Sequence, residues 1–324
     1  SYYEAVTGWF ARRHGWTFDR RWMIYTSGVV PALSAIIKAA TRPGDKVLVQ
    51  TPVYNCFFSS IRNNGCETVT SPLRPVGDTY EMDFGDLERR AADPQVKVML
   101  LCNPHNPVGR VWKEWELRKI GDICLKHNVL VVSDEIHSDF TYGENIHHVF
   151  ASLDEKYAAI TTTCTAPSKT FNIAGLQISN IWISNPELRA RFRAEVTAAG
   201  YSQVNLMGLV ACQAAYETGE EWLKELKIYL EGNLDYVRTF LKENLPEIKL
   251  TEPEGTYLLW LDFKSLGMKE EQLKDLVENK AKLWLDSGAM FGPDGEGFER
   301  INIACPREIL KQALTQLAES VHDR

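Results

Sequence analysis

Five short apolar runs constrain this chain more than any other feature: KVLVQ (46–50), VKVMLLC (96–102), VLVVSDE (129–135), AAITTTCTA (158–166) and SNIWIS (179–184). Successive side chains of a strand point to opposite faces, so a strand wetted on one face alternates apolar with polar residues. These runs do not alternate. They read as strands buried on both faces, the habit of parallel sheets covered by helices. Between them SGVVPALSAIIKAAT (27–41), VYNCFFSSIRNN (53–64), KEWELRKIGDICLKHN (113–128) and PELRARFRAEVTAAG (186–200) have helical patterns. The expected class is α/β, with a three-layer α/β/α domain around a mostly parallel sheet.

After about residue 220 the character changes. A charged helical pattern, EEWLKELKIYLEGNLDYVRTFLKENL, is followed by IKLTEP, GTYLLWLDF and FERINIAC, with helices between and after them. Strands grouped in this way suggest a smaller α+β domain. The expected division is a large domain over 1–222 and a small one over 223–324, joined by the long helix itself. A chain of 324 residues is long enough for both.

Net charge is −7 with both signs interspersed, which argues against a nucleic-acid surface or a polybasic membrane contact. No apolar run approaches the roughly 18 residues that cross a bilayer. The start, SYYEAVTGWFARRHGW, lacks the pattern of a signal peptide. It also lacks Met and opens inside an amphipathic helix pattern, so residues upstream of it are expected. Seven cysteines without CxxC or regular spacing read as reduced thiols of a cytoplasmic enzyme.

Four features point to chemistry. In CTAPSKTFNIAGLQISN (164–180) an apolar run ends in one lysine, Lys169, among small polar residues. A lysine at a buried edge is costly unless it is paired, neutralised or chemically committed; taken alone, it reads as a surface lysine in a strand-to-helix turn. In TSGVVPALSAIIKAA a strand runs through Ser27 and Gly28 into a helix, whose N-terminus can bind an anion, though an ordinary helix entry looks the same. In LLCNPHNPVGRVW two prolines and Gly109 fix a loop at a strand's carboxyl end, from which Asn106 can present an amide. In VLVVSDEIHSDF, Asp134 ends a central strand and needs a cation or several donors. His137 falls on the pleat of Glu135 if that strand continues. The remaining histidines are scattered, with His147 and His148 in a loop, so no metal site is expected.

The ordered set of these motifs resembles the pyridoxal-phosphate (PLP) enzymes of the aspartate-aminotransferase superfamily, fold type I, over nearly the whole chain. NPHNPVGRVW, SDEIHSDF, SKTFNIAGLQ, GTYLLWLDF and RINIACP are most similar to the MalY/PatB-type C–S lyases, also called cystathionine β-lyase-like proteins. The resemblance implies PLP joined through an imine to Lys169, with Asp134 holding the ring nitrogen protonated. It implies that Asn106 donates to the ring's phenolic oxygen and that Tyr54 stacks on the ring. The backbone amides of Gly28, Val29 and Val30, with the Ser168 hydroxyl, would hold the phosphate. Arg300 would fork onto the substrate carboxylate, and His137 would tune the Asp134 region. Without the resemblance, Tyr54 reads as a core tyrosine beside Phe57 and Phe58, and Arg300 as a surface arginine in an edge strand. Tyr257 reads as structural.

The implied activity is α,β-elimination of cystathionine or a cysteine S-conjugate to pyruvate, ammonia and a thiol. Transamination of a small amino acid on the same scaffold is the alternative. A PLP-binding regulatory module is a third reading, but such proteins carry a basic DNA-binding domain upstream and these residues show none. Many aminotransferases of the superfamily carry a phosphate-contacting arginine eight residues beyond the lysine. Here that position is Gln177, which favours the lyase-like subgroup. Relatives also have an N-terminal segment that completes the small domain and helps wall the site, and such a segment is expected upstream of this start. They are homodimers with shared sites; the tyrosine-rich start and SQVNLMG (202–208) are candidate interface pieces or ordinary intrachain packing.

Overall fold

The computed structural model describes residues 1–201 and 203–323. Its first half contains α1 (Tyr2–His14), β1 (Met23–Thr26), α2 (Val29–Ala40), β2 (Lys46–Val49), α3 (Cys56–Asn63), β3 (Glu67–Thr70), β4 (Arg74–Val76), β5 (Thr79–Glu81), α4 (Phe84–Ala91), β6 (Val96–Cys102), α5 (Glu114–Lys126) and β7 (Leu130–Asp134). Then follow α6 (Glu155–Ala158), β8 (Thr161–Thr165), α7 (Pro167–Thr170), β9 (Ser179–Ile183), α8 (Pro186–Ala198), α9 (Leu206–Thr218) and α10 (Glu220–Asn244). The chain ends with β10 (Lys249–Leu250), β11 (Leu258–Asp262), α11 (Glu270–Lys274), β12 (Asp286–Ser287), β13 (Phe298–Asn302) and α12 (Arg307–His322).

A seven-stranded sheet has the order β1-β9-β8-β7-β6-β2-β3. Strands β3, β2, β6, β7 and β8 pair in parallel, and β9 alone runs against both its neighbours. This is the mostly parallel α/β sheet expected from the apolar runs. The lack of alternation has a direct cause. Val47, Val49, Val98, Leu100 and Val132 bury into one cluster with Ile36 of α2, Phe57 of α3 and Phe192 of α8. The residues between them, Leu48, Met99, Leu101 and Val131, bury into a second cluster with Leu87 of α4 and Leu117 and Ile120 of α5. Each strand therefore feeds two cores, and the helices form the outer layers.

Three strands of the first half carry no apolar run. β3 is an edge strand with two exposed residues, and β4 and β5 form a separate antiparallel hairpin of short polar segments. None has two faces to bury, so none carries the apolar signature.

The second sheet is antiparallel, β10-β11-β13-β12. IKLTEP supplies only the two residues of β10, and the two-residue β12 has no sequence signal. The long helix α10 buries Leu223, Leu230, Leu234, Val237 and Leu241 in one cluster with Trp9 and Phe10 of α1, Leu259 and Leu261 of β11, and Leu310 and Leu314 of α12. The N-terminal helix thus shares a core with the C-terminal third of the chain. Among the described residues no helix is long and apolar enough to cross a membrane.

Candidate active site

Six strands of the large sheet end at one edge, and five of them lead into one cavity. β2, β6, β7 and β8 are parallel, and β1 runs the same way because it is antiparallel to the reversed β9. Open α/β sheets bind ligands at such an edge, where loops rather than strand pairing continue the chain. Here Asp134 ends β7, and the segments that follow β1, β2, β6 and β8 carry Gly28, Tyr54, Asn106 and Lys169 respectively. All ten residues singled out from sequence, namely Gly28, Val29, Val30, Tyr54, Asn106, Asp134, His137, Ser168, Lys169 and Arg300, line one cavity of about 360 Å³.

Asp134 is the last residue of β7, between β6 and β8, and is buried. Its main-chain carbonyl accepts from Asn103 N at 2.9 Å, which ties the β7 end to the proline loop. Glu135 is fully buried and accepts from Ser133 Oγ (2.8 Å), Phe150 N (3.0 Å) and His147 Nε2 (2.9 Å). Among the described residues the Asp134 carboxylate accepts only the Ile136 amide, at 3.2 Å. Burial consequently pushes the Asp134 carboxyl up to about 7; the Ile136 amide opposes this, the Glu135 charge adds to it, and the Lys169 charge opposes it. Glu135 is a satisfied structural carboxylate. Asp134 has hydrogen-bonding capacity left for a cationic partner in the cavity.

The strand stops at Asp134, so His137 is not on the pleat of Glu135 as the sequence suggested. Residues 135–139 turn instead, with Ser138 N donating to Glu135 O at 3.0 Å and Phe140 N to His137 O at 3.0 Å. The turn still brings His137 to the cavity. Its Nδ1 is buried without a hydrogen-bond partner among the described residues, and burial, with the charges of Lys169 and Arg300, lowers its pKa to about 3. Tyr257 meets the His137 ring edge-on at 5.7 Å and also lines the cavity, so it is not the purely structural residue expected. Glu254 fixes this approach: its carboxylate accepts from Arg110 Nε (2.8 Å) and Val111 N (2.9 Å). Gly109 also needs to be glycine here. Its φ is +74°, and a Cβ would sit 2.9 Å from Pro253.

Asn106 is buried, and its Oδ1 accepts from Arg300 Nη1 at 2.8 Å. Its Nδ2 is thereby turned away from Arg300 and left to donate. Arg300 is neither in an edge strand nor on the surface: β13 lies between β11 and β12, and the side chain is 14% exposed. Its Nε and Nη2 engage Asp286 Oδ2. Tyr54 is half-buried at the cavity wall, with Phe57 edge-on at 6.2 Å, and its phenol is raised by burial. Lys169 is exposed in this single chain, so the sequence argument from a buried-edge lysine does not describe it.

The start of α2 also lines the cavity. Its first-turn amides have no intrahelical acceptor, and Val29 and Val30 carry two of them, Pro31 having none. Gly28 is extended, and a Cβ there would meet only Pro31, at 3.5 Å or more, so packing does not demand glycine. Gln177 sits in a left-handed turn, exposed and outside the residues lining the cavity. Sequence reasoning also passed over Cys102, Leu258 and Asn302 as cavity residues; the last two belong to β11 and β13, whose approach to the large sheet has no local signal.

The donor set suits a flat cationic ring with an anionic tail. It offers an under-satisfied buried carboxylate, an amide donor, an aromatic wall, a lysine and a helix start.

Residues 1–317 match the aminotransferase class I and II family. Cystathionine beta-lyase PatB of Bacillus subtilis (strain 168) is 43% identical over 314 residues, 97% of this chain and 81% of PatB. Protein MalY of Escherichia coli (strain K12) is 33% identical over 318 residues, 98% of this chain and 81% of MalY. Among solved structures, cystalysin from Treponema denticola, which contains a pyridoxal 5'-phosphate cofactor, superposes with a TM-score of 0.98 at 41% identity, over 99% of this chain and 82% of its own. The match spans nearly every element described above, and this chain is a member of the aminotransferase class I and II family.

Proposed function

We propose that the chain is a PLP-dependent carbon–sulfur β-lyase that converts cystathionine or a related cysteine S-conjugate to pyruvate, ammonia and a thiol. The observation that carries the reading is the pairing, in one cavity, of an exposed lysine with a buried carboxylate served by a single amide. The similarity to PatB, MalY and cystalysin supports the lyase outcome.

PLP would be held by Lys169 at its aldehyde, Asp134 at its ring nitrogen, Asn106 at its phenolic oxygen and Tyr54 on its face. The amides of Gly28, Val29 and Val30, with Ser168, would take its phosphate, and His137 would support Asp134. When bound, the cofactor supplies an electron sink for the Cα carbanion. Arg300 orients the substrate carboxylate through the guanidinium edge that Asp286 and Asn106 leave free. The Lys169 amine then takes the Cα proton as general base. The Cβ–S bond breaks, the sulfur leaves with the bonding pair and takes a proton, and the three-carbon fragment hydrolyses to pyruvate and ammonia.

The division into residues 1–222 and 223–324 is part of the same proposal, with α10 as the joint. So are a cytoplasmic location and a homodimer with shared sites. For the dimer, the start of the chain and segment 202–208 are candidate surfaces. Residue 202 lies outside the described residues, while Leu206 and Met207 are exposed apolar residues of α9.

The test uses purified protein with added PLP, L-cystathionine and no keto acid, with Lys169→Ala as control. Pyruvate and thiol released together, and lost in the variant, are expected. Turnover only after a keto acid is supplied would replace the lyase reading with transamination. A visible cofactor band indifferent to Lys169 would remove the site assignment.

A further inference from the structure

The Lys169 ammonium has no hydrogen-bond or ion-pair partner among the described residues. Its side chain is also exposed, so the direction of the amine is set by the backbone that carries it. That backbone is the single turn of α7, closed by Phe171 N to Pro167 O (2.9 Å) and Ile173 N to Ser168 O (3.1 Å). A four-residue helix has little stability of its own. Something must dock it.

The docking point is the next residue. Thr170 is 1% exposed, and its Oγ1 donates to Asp139 Oδ2 at 2.7 Å. Asp139 is itself buried, in the turn five residues beyond Asp134. Its other oxygen, Oδ1, accepts from Arg13 Nε (3.2 Å) and His14 Nε2 (3.3 Å), both in the last turn of α1. The two carboxylate oxygens therefore face opposite ways, one toward the lysine segment and one toward the N-terminal helix. These contacts hold the Asp139 carboxyl down at about 2 against the opposing effect of burial.

We infer that Asp139 is a positioning residue for Lys169, acting through the Thr170 hydroxyl, and that α1 holds this carboxylate in place through Arg13 and His14. The inference rests on the role of Lys169 proposed above. Because Asp139 follows the same turn that starts at Asp134, the bond to Thr170 references the lysine to the ring-binding carboxylate across 31 residues of sequence. An anchor that serves only the stability of α1 would leave Oδ2 and Thr170 with no effect on the chemistry.

Thr170→Val removes the hydroxyl at nearly constant volume and leaves the α1 contacts intact; Thr170→Ala is the second variant should the first not fold. Both are loaded with PLP and compared with the unsubstituted protein and with Thr170→Ser. The expected result is a fall of about tenfold in kcat on L-cystathionine with KM within about twofold, since small misplacements of a catalytic group cost rate rather than binding. PLP affinity, read from the visible band without substrate, should weaken by roughly three- to tenfold. Thr170→Ser should restore both. If Thr170→Val and Thr170→Ala keep the original kcat, band position and PLP affinity, Asp139 serves α1 alone and the inference is overturned. If the unsubstituted protein shows no Lys169-dependent band, the reading of the site itself fails and takes this inference with it.

Discussion

Arg300 donates from Nη1 to Asn106 Oδ1 at 2.8 Å, a bond that joins the small antiparallel sheet to the rim of the large parallel one across 194 residues of sequence. The guanidinium is oriented on its other side by Asp286 and lies over the Phe291 ring, 4.8 Å from its centroid. Two of its edges are thus spoken for inside the protein. Arg300 also lines the cavity, where a carboxylate can meet its remaining N–H groups.

Arg300→Lys keeps the charge and loses the fork. The expected outcome is a fall of about 10²-fold in kcat/KM for amino-acid substrates, from a loss of about 3 kcal/mol of charge-assisted hydrogen bonding. PLP binding should change little. Steady-state kinetics with and without the substitution would check it, and an unchanged KM would remove Arg300 from carboxylate recognition.

Asp134→Asn preserves the shape of the β7 end and abolishes the negative charge. Elimination should slow by roughly 10²-fold or more, as when one preorganised electrostatic group is removed from a dry site. The cofactor should still bind through Lys169 and the α2 start. Retention of full activity would mean that the ring nitrogen does not depend on this carboxylate.

Gly28→Ala tests the anion cradle. Since a Cβ there meets only Pro31, at 3.5 Å, the cofactor-free protein should unfold within a few degrees of the original. PLP retention should weaken by roughly three- to tenfold, because the added methyl keeps the phosphate from closing fully on the amides, at about the cost of one hydrogen bond. Dialysis followed by absorbance would measure it, and equal retention would move the phosphate away from Gly28.

The pH dependence of the cofactor-free protein follows from five buried groups. His105 and His137 are held at about 4 and about 3, and His147 is also lowered, each chiefly by burial. In the unfolded chain they take protons near their ordinary value of 6.5. The unfolded state therefore binds more protons below that pH, and stability falls as pH falls through that range. Asp134 and Glu299 are raised by burial to about 7 and about 8. Unfolded, they ionise near 3.8 and 4.5, so the folded state binds more protons above that range and stability falls as pH rises toward 7 and 8. Below pH 6.5 the three imidazoles outweigh the two carboxyls. Above it only the carboxyls act, so thermal stability should peak near pH 6.5. Glu299→Gln should flatten the alkaline limb. A melting temperature that rises steadily from pH 5 to 9 would be incompatible with these buried groups.

Much of this was legible in one dimension. Runs such as VKVMLLC are apolar at every position because Val98 and Leu100 pack on one side of the sheet and Met99 and Leu101 on the other. That demand is local and leaves a local signature, so the parallel sheet, its flanking helices and the carboxyl-end turns could be read from composition and spacing. The ordered motifs then named the cavity residues before any geometry was available. β3, β4 and β5 were not legible because edge strands and polar hairpins bury no second face.

What tertiary structure decided is everything that depends on partners distant in sequence. Asp134 and Glu135 are adjacent acids with the same strand behind them, yet three donors satisfy Glu135 while one amide serves Asp134. No pattern in SDEIHSDF distinguishes them. The turn that takes His137 off the pleat, the inner-strand setting of Arg300 and the arrival of Tyr257 at the cavity likewise come from long-range packing. So does the bond from Asp139 to Thr170. A sequence specifies which faces must be dry, because hydrophobic periodicity is written residue by residue. Which polar group goes unsatisfied in a dry place is settled only when chain segments from both ends of the molecule have met around it.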